Sequence, residues 1–266
     1  MSHTPLPSLP YAMPPEWTTH QRTFISWPVQ DSMVYPENFI AVQNWYLELV
    51  LAIAEFEPVA VLVNPEQLEQ VQGLIEERQS QPDCPAIQDI DLLLIPHNDA
   101  WIRDNGPTFL KNSTGALKAV NWQFNAWGGK YAPWDLDDAV ASAILAQYNV
   151  TRLDAPLVME GGSLHVDGEG TLLTTEECLL NPNRNPSLSR EQIEAHLRTY
   201  LGVETVIWLK RGLSGDETDG HVDNIACFAA PGQVLIQVCD DPEDDNYTIT
   251  QENLALLEAA TDARGR

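Results

Sequence analysis

Three polar, glycine-containing stretches hold the side chains of this chain best suited to chemistry. The first, Asn98-Asp-Ala-Trp-Ile-Arg-Asp-Asn-Gly-Pro107, sets two carboxylates, an arginine and a tryptophan beside a Gly-Pro turn. Trp101 and Asp104 stand three residues apart, so a helical turn or tight loop gives them one face, an aromatic wall beside a carboxylate. Asp99 taken alone reads as an Asx cap of that loop. The second stretch is Val158-Met-Glu-Gly-Gly-Ser163. A carboxylate next to two glycines at a strand edge suits close approach of the backbone to a ligand, and suits equally a β-bulge with Glu160 exposed. The third is Gly215-Asp-Glu-Thr-Asp-Gly-His-Val-Asp-Asn224. His221 and Asp223 are two apart, and in a strand they project from the same face. The adjacent Asp216, Glu217 and Asp219 favour a protonated imidazole.

Asp104, Glu160, His221 and Asp223 together support two chemistries. One is a metal site, since histidine and carboxylates are legitimate ligands. The chain has no HxH, HExxH or run of metal-bridging aspartates to sharpen that reading. The other is capture of a guanidinium, a flat cation with several donors that bidentate carboxylates match. An activated thiolate could then attack the guanidinium carbon while histidine carries the proton. The four cysteines, Cys84, Cys178, Cys227 and Cys239, include no CxxC pair. None looks like a good nucleophile. Cys227 falls in an apolar stretch where burial raises a thiol pKa, and Cys178 and Cys239 have acidic neighbours. Cys84 lies in a Pro-flanked loop away from the three stretches.

The elements that must position these residues alternate strand and helix. Strands are predicted at Thr23–Trp27, Val59–Val63, Asp91–Ile95, Leu117–Phe124, Thr205–Leu209, Val222–Phe228 and Val234–Val238. A hairpin is predicted from Leu164–Val166 and Thr171–Thr174 across an Asp-Gly turn. Helices are predicted at Phe39–Phe56, Pro65–Arg78 (with Asn64 as N-cap), Leu136–Tyr148, Ser189–Leu201 (with a Ser189/Gln192 capping box) and Thr250–Ala260. This is a mixed α/β arrangement with short connections, no low-complexity linker and no two-domain boundary. Any internal repeat is structural rather than literal.

The chain has 266 residues, enough to bury a sizeable core without disulfide staples. Its 39 acidic and 14 basic residues give a formal charge of −25, a field that repels nucleic acid and anionic membranes and draws in cations. Acidity also serves solubility alone. The cysteine pattern suits free thiols in a reducing compartment. The first fifteen residues lack the charged and apolar regions of a signal peptide, and no apolar run approaches the length of a membrane span. A cytoplasmic location is the expectation.

Five stretches in order carry a specific resemblance: Pro14-Pro-Glu-Trp17 with His20, Trp101-Ile-Arg-Asp-Asn-Gly-Pro107, Glu160-Gly-Gly162, Thr174-Thr-Glu-Glu-Cys-Leu-Leu-Asn-Pro-Asn-Arg-Asn-Pro186, and Asp219-Gly-His-Val-Asp-Asn224. They resemble the agmatine deiminase family, which is close to the bacterial-type peptidyl-arginine deiminases, over essentially the whole chain. The resemblance implies a pentein α/β-propeller, with about four of its five pseudo-repeats present in one domain over residues 1–266. It implies hydrolysis of agmatine to N-carbamoylputrescine and ammonia, a step toward putrescine, without metal or organic cofactor. In the implied roles Asp104 and Asp223 grip the guanidinium, His221 is general acid and base, Glu160 orients it or contacts substrate, and Trp101 walls the site. The partner is a small cationic guanidine rather than nucleic acid or membrane, and a homo-oligomer is compatible with the family. The family's nucleophilic cysteine lies in a Gly-Gly-Gly-Asn-x-His-Cys segment that has no match here, so the expectation is a C-terminally incomplete domain that is inactive alone. Alternatives are a guanidine- or polyamine-binding chain without catalysis, a peptidyl-arginine deiminase, and a metal-dependent agmatinase.

Overall fold

Residues 10–30, 32 and 37–266 are described in the computed structural model, and they form four small sheets with helices laid against them. The N-terminal reading against a signal peptide lies largely outside the described residues. In the first sheet, β1 (Thr23–Ser26), β2 (Val59–Val63) and β3 (Ile90–Leu94) run parallel in that order. Parallel neighbours need crossovers, supplied here by α1 (Phe39–Ala54) and α2 (Leu68–Gln79). Central β2 is buried at every position, which explains its unbroken Val-Ala-Val-Leu-Val run. Before α2, a 3₁₀ turn over Pro65–Gln67 takes the predicted helix start, with Asn64 and Gln67 forming its capping box.

The next two sheets share one plan: an antiparallel pair, a helix, then a strand parallel to the second of the pair. After the short α3 (Ile102–Asn105), β4 (Thr108–Lys111) pairs with β5 (Leu117–Gln123). The short α4 (Ala126–Gly129) and α5 (Asp135–Gln147) lead to β6 (Thr151–Val158), parallel to β5. The third sheet repeats this with β7 (His165–Val166), β8 (Thr171–Thr175), α6 (Glu176–Leu179), α7 (Arg190–Leu201) and β9 (Thr205–Leu209). A final antiparallel pair, β10 (Ala226–Ala230) and β11 (Gln233–Ile236), is followed by α8 (Asn246–Ala259).

The largest core cluster joins the second and third sheets through Leu157, Met159, Leu172, Ile193 and Leu197, all without exposed surface. Ile193 and Leu197 lie four apart on α7, the spacing its capping box and apolar stripe announce. Among the described residues no helix is long and apolar enough to cross a membrane.

Two expectations are corrected. The predicted strand Val222–Phe228 is split: Val222–Asn224 is a 3₁₀ turn and only Ala226–Ala230 is strand. A glycine with φ of 88° at Gly220 and an Asp219 with φ of 61° turn the chain sharply just before it, which an extended entry could not accommodate. Strands β4 and β6 were not anticipated, because Pro156 and the alternating charges of Thr151–Asp154 mask β6.

Candidate active site

The three polar stretches meet. Trp101 is the N-cap residue of α3, and Asp104 sits in that single turn, 6% exposed, so a helical turn does supply the shared segment the spacing suggested. Asp104 Oδ1 accepts the Gly162 N–H at 2.9 Å and Oδ2 accepts the Trp127 indole N–H at 3.0 Å. Both bonds aim the carboxylate, and burial pushes its pKa above the ordinary carboxylate range. Asp223 lies on the 3₁₀ turn after His221, with its side chain 35% exposed, and burial raises its pKa as well.

His221 lies between two groups of partners. Its Nδ1 stands 3.7 Å from Asp104 Oδ1 and 4.0 Å from Asp223 Oδ1, and its Nε2 stands 3.8 Å from Glu160 Oε2. The same-strand geometry expected for His221 and Asp223 does not hold. The turn brings them together instead. Burial opposes charge on this imidazole, but Cys178, Glu160 and the Asp104 carboxylate outweigh it and raise the pKa to about 11. A cation is therefore strongly favoured at this position.

Gly162 marks the centre. A methyl carbon at that residue would lie 2.5 Å from His221 Nδ1, 2.6 Å from Asp223 Oδ2 and 2.9 Å from Asp104 Oδ1. Three polar atoms thus pack against this residue at distances that only glycine permits.

Glu160 is not exposed at a bulge. It has no accessible surface, and its Oε1 accepts Arg184 Nε–H at 2.7 Å. It lies on the Nε2 side of the imidazole while both aspartates lie on the Nδ1 side, so its placement is that of a group behind the histidine rather than one facing an incoming ligand. Arg184, buried as well, donates onward to Asp219 Oδ2 at 2.8 Å and to the Thr218 carbonyl at 2.9 Å. Desolvation works against the charge of this guanidinium, but Glu160 outweighs it and keeps Arg184 protonated.

Several contributors were invisible in the spacing alone. Trp127, not Trp101, bonds the Asp104 carboxylate, and Trp101 packs edge-on against it with ring centroids 6.0 Å apart. Trp127 is held by left-handed backbone, with φ of 51° at Ala126 and 54° at Trp127. Such conformations at non-glycine residues are costly and need surrounding support, here the Asn125 side chain accepting the Gly128 N–H at 2.9 Å. Glu16 of the N-terminal segment pairs with Arg103 at 2.9 Å and His165 at 3.3 Å, bracing α3 from outside. The hydrogen bond from His165 holds Glu16 down at about 2, with Arg103 adding to it against a burial penalty.

Cys178 is the other unforeseen neighbour. Its Sγ lies 4.0 Å from Glu160 Oε2, and burial raises its pKa more than any acidic sequence neighbour does. Cys227, expected to be buried in a strand, is partly exposed.

A family model for Porphyromonas-type peptidyl-arginine deiminases matches residues 12–266. An agmatine deiminase of Stutzerimonas stutzeri is 48% identical over 261 residues, covering 96% of this chain and 68% of its own length. Among solved structures, an agmatine deiminase of Enterococcus faecalis superposes with a TM-score of 0.85 at 39% identity, over 96% of this chain and 68% of that one. A substrate-bound cysteine-to-serine variant of C. jejuni agmatine deiminase superposes with a TM-score of 0.82 at 30% identity, over 97% of this chain and 73% of that one. With the motif residues gathered in one place and these matches spanning nearly all of it, the chain belongs to the Porphyromonas-type peptidyl-arginine deiminase family, among the agmatine deiminases, which are deiminase-type hydrolases.

Proposed function

We propose that this chain binds agmatine by its guanidinium between Asp104 and Asp223 and carries the proton-transfer machinery for hydrolysing it to N-carbamoylputrescine and ammonia. The observation that carries the reading is the convergence of Asp104, Asp223 and His221 on the space beside Gly162. A planar cation there offers N–H groups to both carboxylates, and each charge-assisted pair strengthens as water is excluded.

In this reading a thiolate attacks the guanidinium carbon and forms a C–S bond. His221 gives its proton to the departing nitrogen, which leaves as ammonia. Water, deprotonated by His221, then attacks the same carbon, the C–S bond breaks, and the carbamoyl product leaves. Arrival of a second cation beside His221 lowers the proton affinity of the imidazole, which readies the proton for transfer. Glu160, fixed by Arg184, orients the ring.

The attacking thiolate is none of the four cysteines. Cys178 has no exposed surface and lies behind the histidine, and the others belong to no stretch that forms the site. The Gly-Gly-Gly-Asn-x-His-Cys segment of the family is absent from these residues. We read the four sheets as about four of the five units of a pentein propeller forming one domain. Four free thiols accord with a reducing, cytoplasmic setting.

Agmatine is preferred over arginine because both arginines at the site are engaged. Arg103 pairs with Glu16, and Arg184 with Glu160 and Asp219, so neither serves as a clamp for a substrate carboxylate. Calorimetry with agmatine and arginine on the 266-residue chain tests binding, and ammonia release from a chain carrying the family's cysteine segment tests turnover. We expect agmatine to bind more tightly, and Asp104→Asn to weaken it by roughly 10- to 100-fold, one charge-assisted bond. Equal binding by wild type and Asp104→Asn removes the clamp. Tight binding without turnover by the longer chain marks a guanidine-binding protein instead.

A further inference from the structure

On the Nε2 side of His221 lies a cluster that the guanidinium reading uses only to orient the ring. Glu160, Cys178 and His221 each present one ligand atom, and these three atoms lie within 4.8 Å of one another in a fully buried setting. Cys178 Sγ is 4.0 Å from Glu160 Oε2, and His221 Nε2 is 3.8 Å from the same oxygen. His221 is 2% exposed, yet its Nε2 has no hydrogen-bond partner. A buried, unsatisfied ring nitrogen aimed at a thiol and a carboxylate needs an explanation.

We propose that Glu160 Oε2, Cys178 Sγ and His221 Nε2 form a site for one thiophilic divalent cation of the Zn²⁺ type, whose binding withdraws His221 from proton transfer. One sulfur, one imidazole nitrogen and one carboxylate oxygen are the donor set such ions take, with a fourth position left for water. Around a tetrahedral ion these atoms stand about 3.3–3.7 Å apart, so the two measured separations, 4.0 and 3.8 Å, close by roughly 0.5 Å each.

Surrounding groups already orient the ligands. Arg184 donates to the other oxygen of Glu160, which frees Oε2, and the Cys178 N–H is held at 3.1 Å by the Thr175 hydroxyl at the start of α6. The positive charge of Arg184 faces two carboxylates, Glu160 at 2.7 Å and Asp219 at 2.8 Å, the second of them shared with Lys130. Binding forms metal–sulfur, metal–nitrogen and metal–oxygen bonds, and releases to water the Cys178 thiol proton and the Nε2 proton of the His221 imidazolium.

Metal binding stands whether or not the deiminase reading does. Only its inhibitory consequence rests on that reading. The test is titration of the 266-residue chain with Cd²⁺, followed by the ultraviolet thiolate-to-metal band, with Zn²⁺ as competitor. The chain carries three other cysteines, so a variant with Cys84, Cys227 and Cys239 all changed to Ser is titrated alongside. We expect one equivalent of Cd²⁺ to give the band in that triple variant, Zn²⁺ to abolish it, and excess Mg²⁺ to leave it unchanged. Cys178→Ala, shown by circular dichroism to stay folded, is expected to lose it. No band in the triple variant, or a band of wild-type strength in folded Cys178→Ala, overturns the proposal. If Cys178→Ala does not fold, the triple variant decides. Failure of agmatine binding with an intact Cd²⁺ band defeats the guanidinium reading and leaves the metal site in place.

Discussion

His221 is held among the carboxyl groups of Asp104, Asp223 and Glu160, the last of which also pairs with Arg184. Its folded pKa of about 11 exceeds the ordinary value of 6.5, so its contribution to stability is fully present below the ordinary value and is lost as pH rises through the folded one. Proton NMR of the ring should accordingly show an imidazolium that does not titrate between about pH 7 and pH 9 in the free chain. A midpoint near the ordinary histidine value would show that the carboxylates do not act on the ring. Gly162 makes a second, purely steric prediction. Gly162→Ala puts a methyl within 2.9 Å of all three converging atoms, so they must shift: agmatine binding should drop by roughly 100-fold, and the melting temperature should fall by an amount equivalent to about 1–3 kcal/mol. Unchanged calorimetric affinity in that variant places the ligand elsewhere.

At the scale of elements, the site depends on short turns braced by buried polar side chains. Asp137, in the first turn of α5, accepts the backbone N–H groups of Asn98 at 2.8 Å and Asp99 at 3.2 Å, and so ties α5 to the loop that precedes Asp104. Asn98 Oδ1 returns the favour by accepting the N–H of Leu136 at 3.0 Å. Burial lifts Asp137 from 3.8 to about 6 despite those bonds. A carboxyl with a raised folded pKa carries no penalty below its unfolded value and the full penalty above its folded one, so stability falls as pH rises from about 4 to about 6. Asp137→Asn keeps an acceptor oxygen without the buried charge. It should melt higher than wild type at neutral pH, by an amount equivalent to about 3 kcal/mol at most, with the difference vanishing below about pH 4. Asp137→Ala should lose about 1–3 kcal/mol, having abandoned two N–H groups. Thermal melts of both variants across that pH range decide it. An Asn variant less stable than wild type at neutral pH would show that the carboxylate's charge is needed for the loop.

The whole molecule is an anion of −25, with the carboxyl groups of Asp104, Glu160 and Asp223 gathered around His221. Such a field concentrates a small cation near the surface and speeds its encounter with the site, and salt screens it over a distance of about 10 Å at 0.1 M. Stopped-flow association of agmatine should slow severalfold between about 10 mM and about 300 mM salt, with dissociation changing less because the bound cation is sheltered. An association rate indifferent to salt would reduce the acidity to a matter of solubility.

Much of this was legible in order along the chain. The periodicity of Val59–Val63 and Thr205–Leu209, and the capping residues Asn64 and Ser189, express local backbone preferences, and the structure keeps each of them. Asp104, Glu160, His221 and Asp223 stand out as candidates by residue type and motif, and the structure places them side by side. What the string of residues could not express is which side of His221 each partner occupies. That depends on left-handed turns at Ala126–Trp127 and Asp219–Gly220, and on the packing of α3 against the Gly161–Ser163 turn. It also took the folded chain to bring Cys178 and Arg184, far from His221 in sequence, to its back face. Propensity and pattern act over a few residues. The directions in which buried polar groups point are chosen only when distant turns close together and every donor must find an acceptor in the space that remains.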